Sequence, residues 1–97
     1  MTIKELEKKV EDYDFKIEPN QINEEQLIEI KVGKNFIIIV FTPHGYVEQE
    51  VGGEEDEIWT VARIVHIELI EVYVFNDNLD VILEIEDLTE LEFKINK

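Results

Sequence analysis

The chain contains no cysteine and no serine, only two prolines, four glycines and a single arginine. Each scarcity excludes something. Without cysteine there is no disulfide framework and no thiolate chemistry. Without serine or cysteine, nucleophilic catalysis is left to threonines that have no neighbouring base in the local sequence. The glycines form no phosphate cradle: Val51-Gly52-Gly53-Glu54 fits neither GxGxxG nor GxxxxGK[ST], and its acids would repel a phosphate. The longest apolar run, Phe36 to Phe41, is far too short to span a bilayer. The opening MTIKELEKKV is charged from Lys4 onward and has no signal-type apolar stretch, so a cytoplasmic, soluble protein is expected.

Positive charge is the other shortage. Twenty-four acids stand against nine bases, a formal net charge of −15 over 97 residues. The imbalance is uneven: residues 1–47 carry nine acids and six bases, whereas residues 48–92 carry fifteen acids and only Arg63. Direct contact with nucleic-acid phosphates is therefore disfavoured, as is an anionic membrane surface. A basic protein would instead be attracted and steered in.

Apolar material is sufficient for folding, at 44% hydrophobic with five Phe, three Tyr and one Trp. A single domain over residues 1–97 is expected. Thr2-Ile3-Lys4-Glu5 reads as a capping box, and Ile3, Leu6 and Val10 follow at helical spacing, which predicts an amphipathic helix over residues 3–12. From Tyr13 the period becomes two, with Tyr13, Phe15 and Ile17 alternating with polar residues as in a half-buried strand. Leu27–Val32 and Phe36–Phe41 flank Gly33-Lys34-Asn35, a short hairpin. Thr42-Pro43-His44-Gly45 suits a type I turn leading into a further strand over Tyr46–Val51. In the long β-rich stretch Ile58–Phe75, Val65, Ile67 and Leu69 lie in one phase and Ile70, Val72 and Val74 in the other, which predicts a β-bulge near Leu69-Ile70. Asn76-Asp77-Asn78 forms a turn, and Val81, Leu83 and Ile85 make the inward face of the next strand. Residues 87–97 read either as a second capped helix or as a strand, with a lean to strand because a helix would leave Phe93 on its wet side. The expected fold is α+β: a bent antiparallel sheet of about six strands with the N-terminal helix packed on one face.

Candidate sites are few. His44, His66 and Glu68 are the one nameable two-His-one-carboxylate set, without HxxxH or HExxH spacing to support a metal. Asn76, Asn78 and Asp80 offer alternating oxygens, but Val81 stands where a calcium loop needs glycine. No catalytic, cofactor or metal residue is assigned. Trp59 and Tyr73 read as core or half-buried strand residues. The acids form the remaining pattern: Glu48, Glu50, Glu54, Glu55, Asp56, Glu57, Glu84 and Glu86 are the candidate partner-binding residues. Rows of carboxylates a few ångströms apart can imitate phosphate spacing. In size, acidity and lack of cysteine the chain is similar to the nucleic-acid-mimicking inhibitors of phages and mobile elements. The expected function is a non-catalytic acidic module that docks on a basic protein. The alternative is an assembly subunit that self-associates through its sheet, as a homodimer.

Overall fold

The computed structural model describes residues 1–52 and 57–97. Helix α1 spans Ile3–Glu11, and a 3₁₀ turn Pro19–Gln21 leads into strand β1, Gln26–Val32. Strands β2 (Asn35–Gly52), β3 (Glu57–Phe75) and β4 (Val81–Glu84) follow, and helix α2 covers Thr89–Ile95. The strands form one antiparallel sheet in sequential order, β1-β2-β3-β4. The fold is α+β as expected, with four strands rather than six.

The local signals that hold are those with a local cause. Thr2 accepts the Glu5 N–H at 3.2 Å while the Glu5 carboxylate accepts the Thr2 N–H at 3.3 Å, closing the capping box. Leu6 and Val10 are fully buried, whereas Ile3 remains 39% exposed. Gly33 has φ +63, and Val32 pairs with Asn35 across a two-residue turn. That first-position positive φ suits a twisted hairpin and favours glycine.

The missing strands have physical explanations. Residues 13–17 keep their alternating burial, but no ladder forms. Phe15 instead meets Phe41 edge-on, with ring centroids 5.0 Å apart, so the segment lies against the core face of the sheet rather than along an edge. A period of two reports which side chains face inward, not where the backbone hydrogen bonds go. The expected turn at Thr42–Gly45 is absent, and the two expected strands on either side of it are one long strand. Pro43 is tolerated there because β1 ends opposite Phe41, leaving β2 as an edge. The Pro43 carbonyl points outward to accept the Asn23 N–H at 2.8 Å, so the absent Pro43 N–H also faces away from β3 and costs no ladder bond. Residues 89–95 are helical, which corrects the lean to strand. Phe93 is indeed 68% exposed, while Leu91 is buried and Leu88 and Ile95 pack against the core.

The bulge expected near Leu69-Ile70 is present. Val40 pairs with Glu71 and Phe41 with Leu69, leaving Ile70 as the extra residue. This slip brings Ile67, Leu69, Val72 and Val74 onto one face despite their two phases, where they join Ile37, Ile39 and Phe41 beneath the helices. A second shift leaves out Val65, which is 72% exposed. A third leaves out Ile82 in β4, so Leu83 and Ile85 face inward but Val81 does not.

Beyond the core, residues 45–52 and 57–64 continue as a two-stranded ribbon that leaves the body. The radius of gyration is 16.2 Å and the longest dimension 52 Å, where a compact chain of this length would have a radius of about 13 Å. Where β1 and β4 leave off, side chains take the place of a strand beside β2 and β3 as far as the root of this ribbon. Asn23 donates to the Gly45 carbonyl at 3.1 Å and accepts the Gly45 N–H at 3.2 Å. On the other edge, Asn96 accepts the Ile67 N–H at 2.6 Å and donates to its carbonyl at 2.8 Å, and Glu92 accepts the Leu69 N–H at 2.6 Å.

Candidate functional site

Both helices pack on one side of the sheet, so its opposite face is open. Across that face Leu27, Val40 and Glu71 align, as do Glu29, Ile38, Tyr73 and Glu84 on the four strands. Leu27 is 61% exposed and the bulged Ile70 39% exposed. Together with Val40 and Tyr73 they line a shallow depression of about 310 Å³ that also includes Glu25 and Glu71. The bulge is what places Ile70 here, because without it this residue would share the phase of Val72 and Val74 and face the core. Next along the face, Phe36 and Phe75 stack at 5.0 Å, with the Lys31 ammonium 5.9 Å above Phe36. Among the described residues, no Lys or Arg lies within ion-pair distance of Glu25, Glu29, Glu71 or Glu84. The face thus offers an apolar centre within uncompensated carboxylates.

The acids singled out in the sequence are dispersed. Glu48 and Glu50 lie on one face of the ribbon, and Arg63, opposite Tyr46, reaches both with its side chain. The Arg63 Nε donates to Glu48 at 2.9 Å, and another guanidinium nitrogen pairs with Glu50. The hydrogen bond to Glu48, followed by the charge of Glu50, raises the Arg63 pKa above its ordinary value. The only cation of the acidic half is thereby committed to two of its carboxylates. Glu57 faces the same side at the far end of the ribbon, opposite Gly52. Glu54, Glu55 and Asp56 lie outside the described residues. Glu84 pairs with Tyr73, whereas Glu48 pairs with Val61. Along β3 that separation is about 40 Å at roughly 3.3 Å per residue. Glu84 belongs to the open face, and Glu86 is exposed just beyond β4. The structure therefore does not bring Glu48 and Glu50 together with Glu84 and Glu86.

His44 and His66 are cross-strand partners, yet each is bound to a different carboxylate: His44 to Glu68 at 2.8 Å and His66 to Glu92 at 3.1 Å. Among the described residues no group of three or more His, Asp or Glu is placed to hold a metal. Asn76 is likewise engaged as a turn former, its Oδ1 accepting the N–H groups of Asn78 and Asp80 at 2.9 and 3.0 Å. A second depression, between α1 and α2, is lined by Lys4, Lys8 and Lys94 with Glu7, Glu11 and Glu90. Lys94 bridges Glu90 and Glu11 there at 3.5 and 3.6 Å, and the two carboxylates raise its pKa. This mixed, self-paired surface offers no reactive group.

Trp59 is not a core residue. It sits on the ribbon, 45% exposed, with its ring over Gly52, where a Cβ would overlap the indole. Among the described residues no helix is long and apolar enough to cross a membrane. Comparison with protein-family models, curated proteins and solved structures finds no match for this chain. The functional reading therefore rests on the geometry.

The sequence does not mark Leu27 or Ile70 as contact residues, and Tyr73 reads there only as a core or half-buried strand residue. The available signal was the alternation of β1, in which Leu27 falls in the phase of Glu29 and Lys31 rather than that of Ile28 and Ile30. An apolar residue in the polar phase of a strand marks either a covered face or a contact surface.

Proposed function

We propose that this protein is a small, acidic, non-catalytic binding module that docks on a basic protein surface through the open face of its sheet. The observation that carries this reading is the pairing of exposed apolar side chains, Leu27 and Ile70, with carboxylates that have no Lys or Arg partner among the described residues. An apolar centre supplies affinity by excluding water, and the surrounding charge selects the sign of the partner and accelerates encounter. From residue 64 to residue 93 the chain has neither Lys nor Arg, so the partner meets no opposing Lys or Arg along β3 beyond Arg63, along β4 or along their connection. Inhibition of a nucleic-acid-binding protein by imitation of its ligand is the narrower form of this proposal. Its support is the overall charge, because Arg63 neutralises part of the row formed by Glu48 and Glu50.

The test is capture from nuclease-treated lysate at low and high salt, using the wild-type chain beside Ile70→Asp and the double variant Glu71→Lys/Glu84→Lys. A basic protein retained by the wild type, released by salt and lost with both variants is the expected outcome. Retention that is indifferent to both variants overturns the reading. Competition by added DNA or RNA for the same captured protein separates nucleic-acid imitation from docking elsewhere.

A further inference from the structure

The ribbon presents a different surface. The edge coverings stop at Gly45 on β2 and at Ile67 on β3; beyond them, among the described residues, no hydrogen bond covers either ribbon edge. Gly45 turns its N–H and C=O outward to Asn23. By the alternation of an antiparallel ladder its partner Ile64 also faces outward, and so do Ala62, Thr60 and Ile58 along β3. Among the described residues nothing hydrogen-bonds to these outward groups. A bare edge of this kind is a template for another strand.

We propose that the protein forms a two-fold homodimer in which the β3 edges of two copies pair antiparallel about Val61, joining the two ribbons into one four-stranded sheet. The residues of the edge make it self-complementary. With Val61 opposite Val61 of the second copy, Ile58 meets Ile64 and Thr60 meets Ala62, all through their outward backbone groups. Trp59 stands opposite Arg63 of the second copy, so no like charges are set against each other. No two carboxylates are opposed. The register also fits the available length: Glu57 pairs with Val65 of the second copy, and the covering by α2 begins two residues later, at Ile67. Centring the contact on Arg63 instead would oppose two guanidinium groups.

The other edge does not offer this. Pairing β2 with its copy about Gln49 sets Glu48 directly against Glu50 of the second copy, like charges in cross-strand positions. Charge thus selects the β3 edge. It also identifies a second copy as the occupant: the β3 edge from Ile58 to Ile64 holds no acid, so two chains that each carry −15 can approach here without carboxylate facing carboxylate. The same absence of acid gives a basic partner nothing to recognise on this edge. The dimer is therefore independent of the basic-partner reading, and the two respond oppositely to salt. Screening relieves the repulsion between copies and tightens the dimer, whereas it weakens capture of a basic protein.

Because the chain has no cysteine, Val61→Cys is a clean probe of the two-fold axis. Residues 61 form a non-hydrogen-bonded pair in the proposed register, the closely spaced kind, at about 4.5 Å between Cα atoms. The expected result is a disulfide-linked dimer on mild oxidation, and a dimer mass for the wild type by sedimentation velocity that increases in proportion with salt. Thr60→Pro removes an outward N–H and no bond to β2, so it should weaken the dimer at least tenfold. Gln49→Pro makes the same change on the opposite edge and should leave the dimer intact. A wild-type monomer at high concentration in moderate salt, failure of Val61→Cys to cross-link, or equal effects of the two prolines overturns the proposal.

Discussion

The side chain of Asn96 occupies the place of a β-strand beside Ile67, accepting its N–H at 2.6 Å and donating to its carbonyl at 2.8 Å. Asn96 lies at the C-terminal end of α2 and also donates to the Glu92 carbonyl at 2.8 Å, so one amide ends the helix and closes the sheet edge. The pair therefore couples helix, core and edge at the root of the ribbon.

Asn96→Ala should destabilise the fold by about 1–3 kcal/mol, the usual cost of leaving partly buried backbone groups unpaired. Denaturant unfolding measures this. Asn96→Asp keeps an acceptor for the Ile67 N–H but turns an anion onto the Ile67 and Glu92 carbonyl oxygens at the helix C-terminus, so it should not recover the loss.

Arg63→Gln should lower the melting temperature because Glu48 and Glu50 then share a face without their cation. The loss should be larger at about 0.01 M ionic strength than at about 0.15 M, since screening relieves the exposed carboxylates. Thermal melts at the two salt concentrations check both statements. The wild type should itself melt higher in moderate salt, its net charge being −15.

Asp87 gives α2 a pH dependence. Its carboxylate accepts the Thr89 N–H at 3.1 Å, and that bond, followed by one from the Thr89 hydroxyl, holds its pKa below the ordinary value. A folded-state pKa below the unfolded value means a stabilising contribution that is present above the unfolded pKa and lost as pH falls through the folded one. Asp87→Asn preserves a capping oxygen and abolishes this titration. Any stability advantage of the wild type over the variant should shrink between about pH 5 and about pH 2. Melting temperature against pH for both proteins tests it.

Gly52→Ala should displace Trp59, because the added methyl falls within the indole ring. The chain has one tryptophan, so its emission reports this ribbon alone. A shifted emission maximum with nearly unchanged unfolding of the body is the expected result. An unshifted spectrum would mean that the indole does not rest on Gly52 in solution.

Much of the fold was legible because its causes are local. The α1 cap, the Gly33 turn and the phase slip at Leu69-Ile70 each depend on residues a few positions apart. The candidate site was less legible. Leu27 and Ile70 stand together only because β1 and β3 flank β2 and a bulge turns Ile70 outward. The two-residue period of Tyr13 to Ile17 encodes burial and not a ladder. Pro43 looked like a turn residue because its missing N–H matters only if that N–H would have faced a neighbour, and here it would not. The weight given to Phe93 failed for a similar reason: one exposed ring costs less than the core contacts of Leu88, Leu91 and Ile95 return.

The sequence by itself determined the class of the fold, the net charge and most of the core, Trp59 and Val81 excepted, since these follow from composition and from side-chain periodicity along a single strand or helix. Tertiary structure alone decided which carboxylates are neutralised, which apolar face stays open and which edge stays bare. Those outcomes hang on contacts between residues far apart in the chain, Arg63 with Glu48, Asn23 with Gly45 and Asn96 with Ile67. No local pattern encodes such contacts, because each exists only after the strands have taken their neighbours and their register.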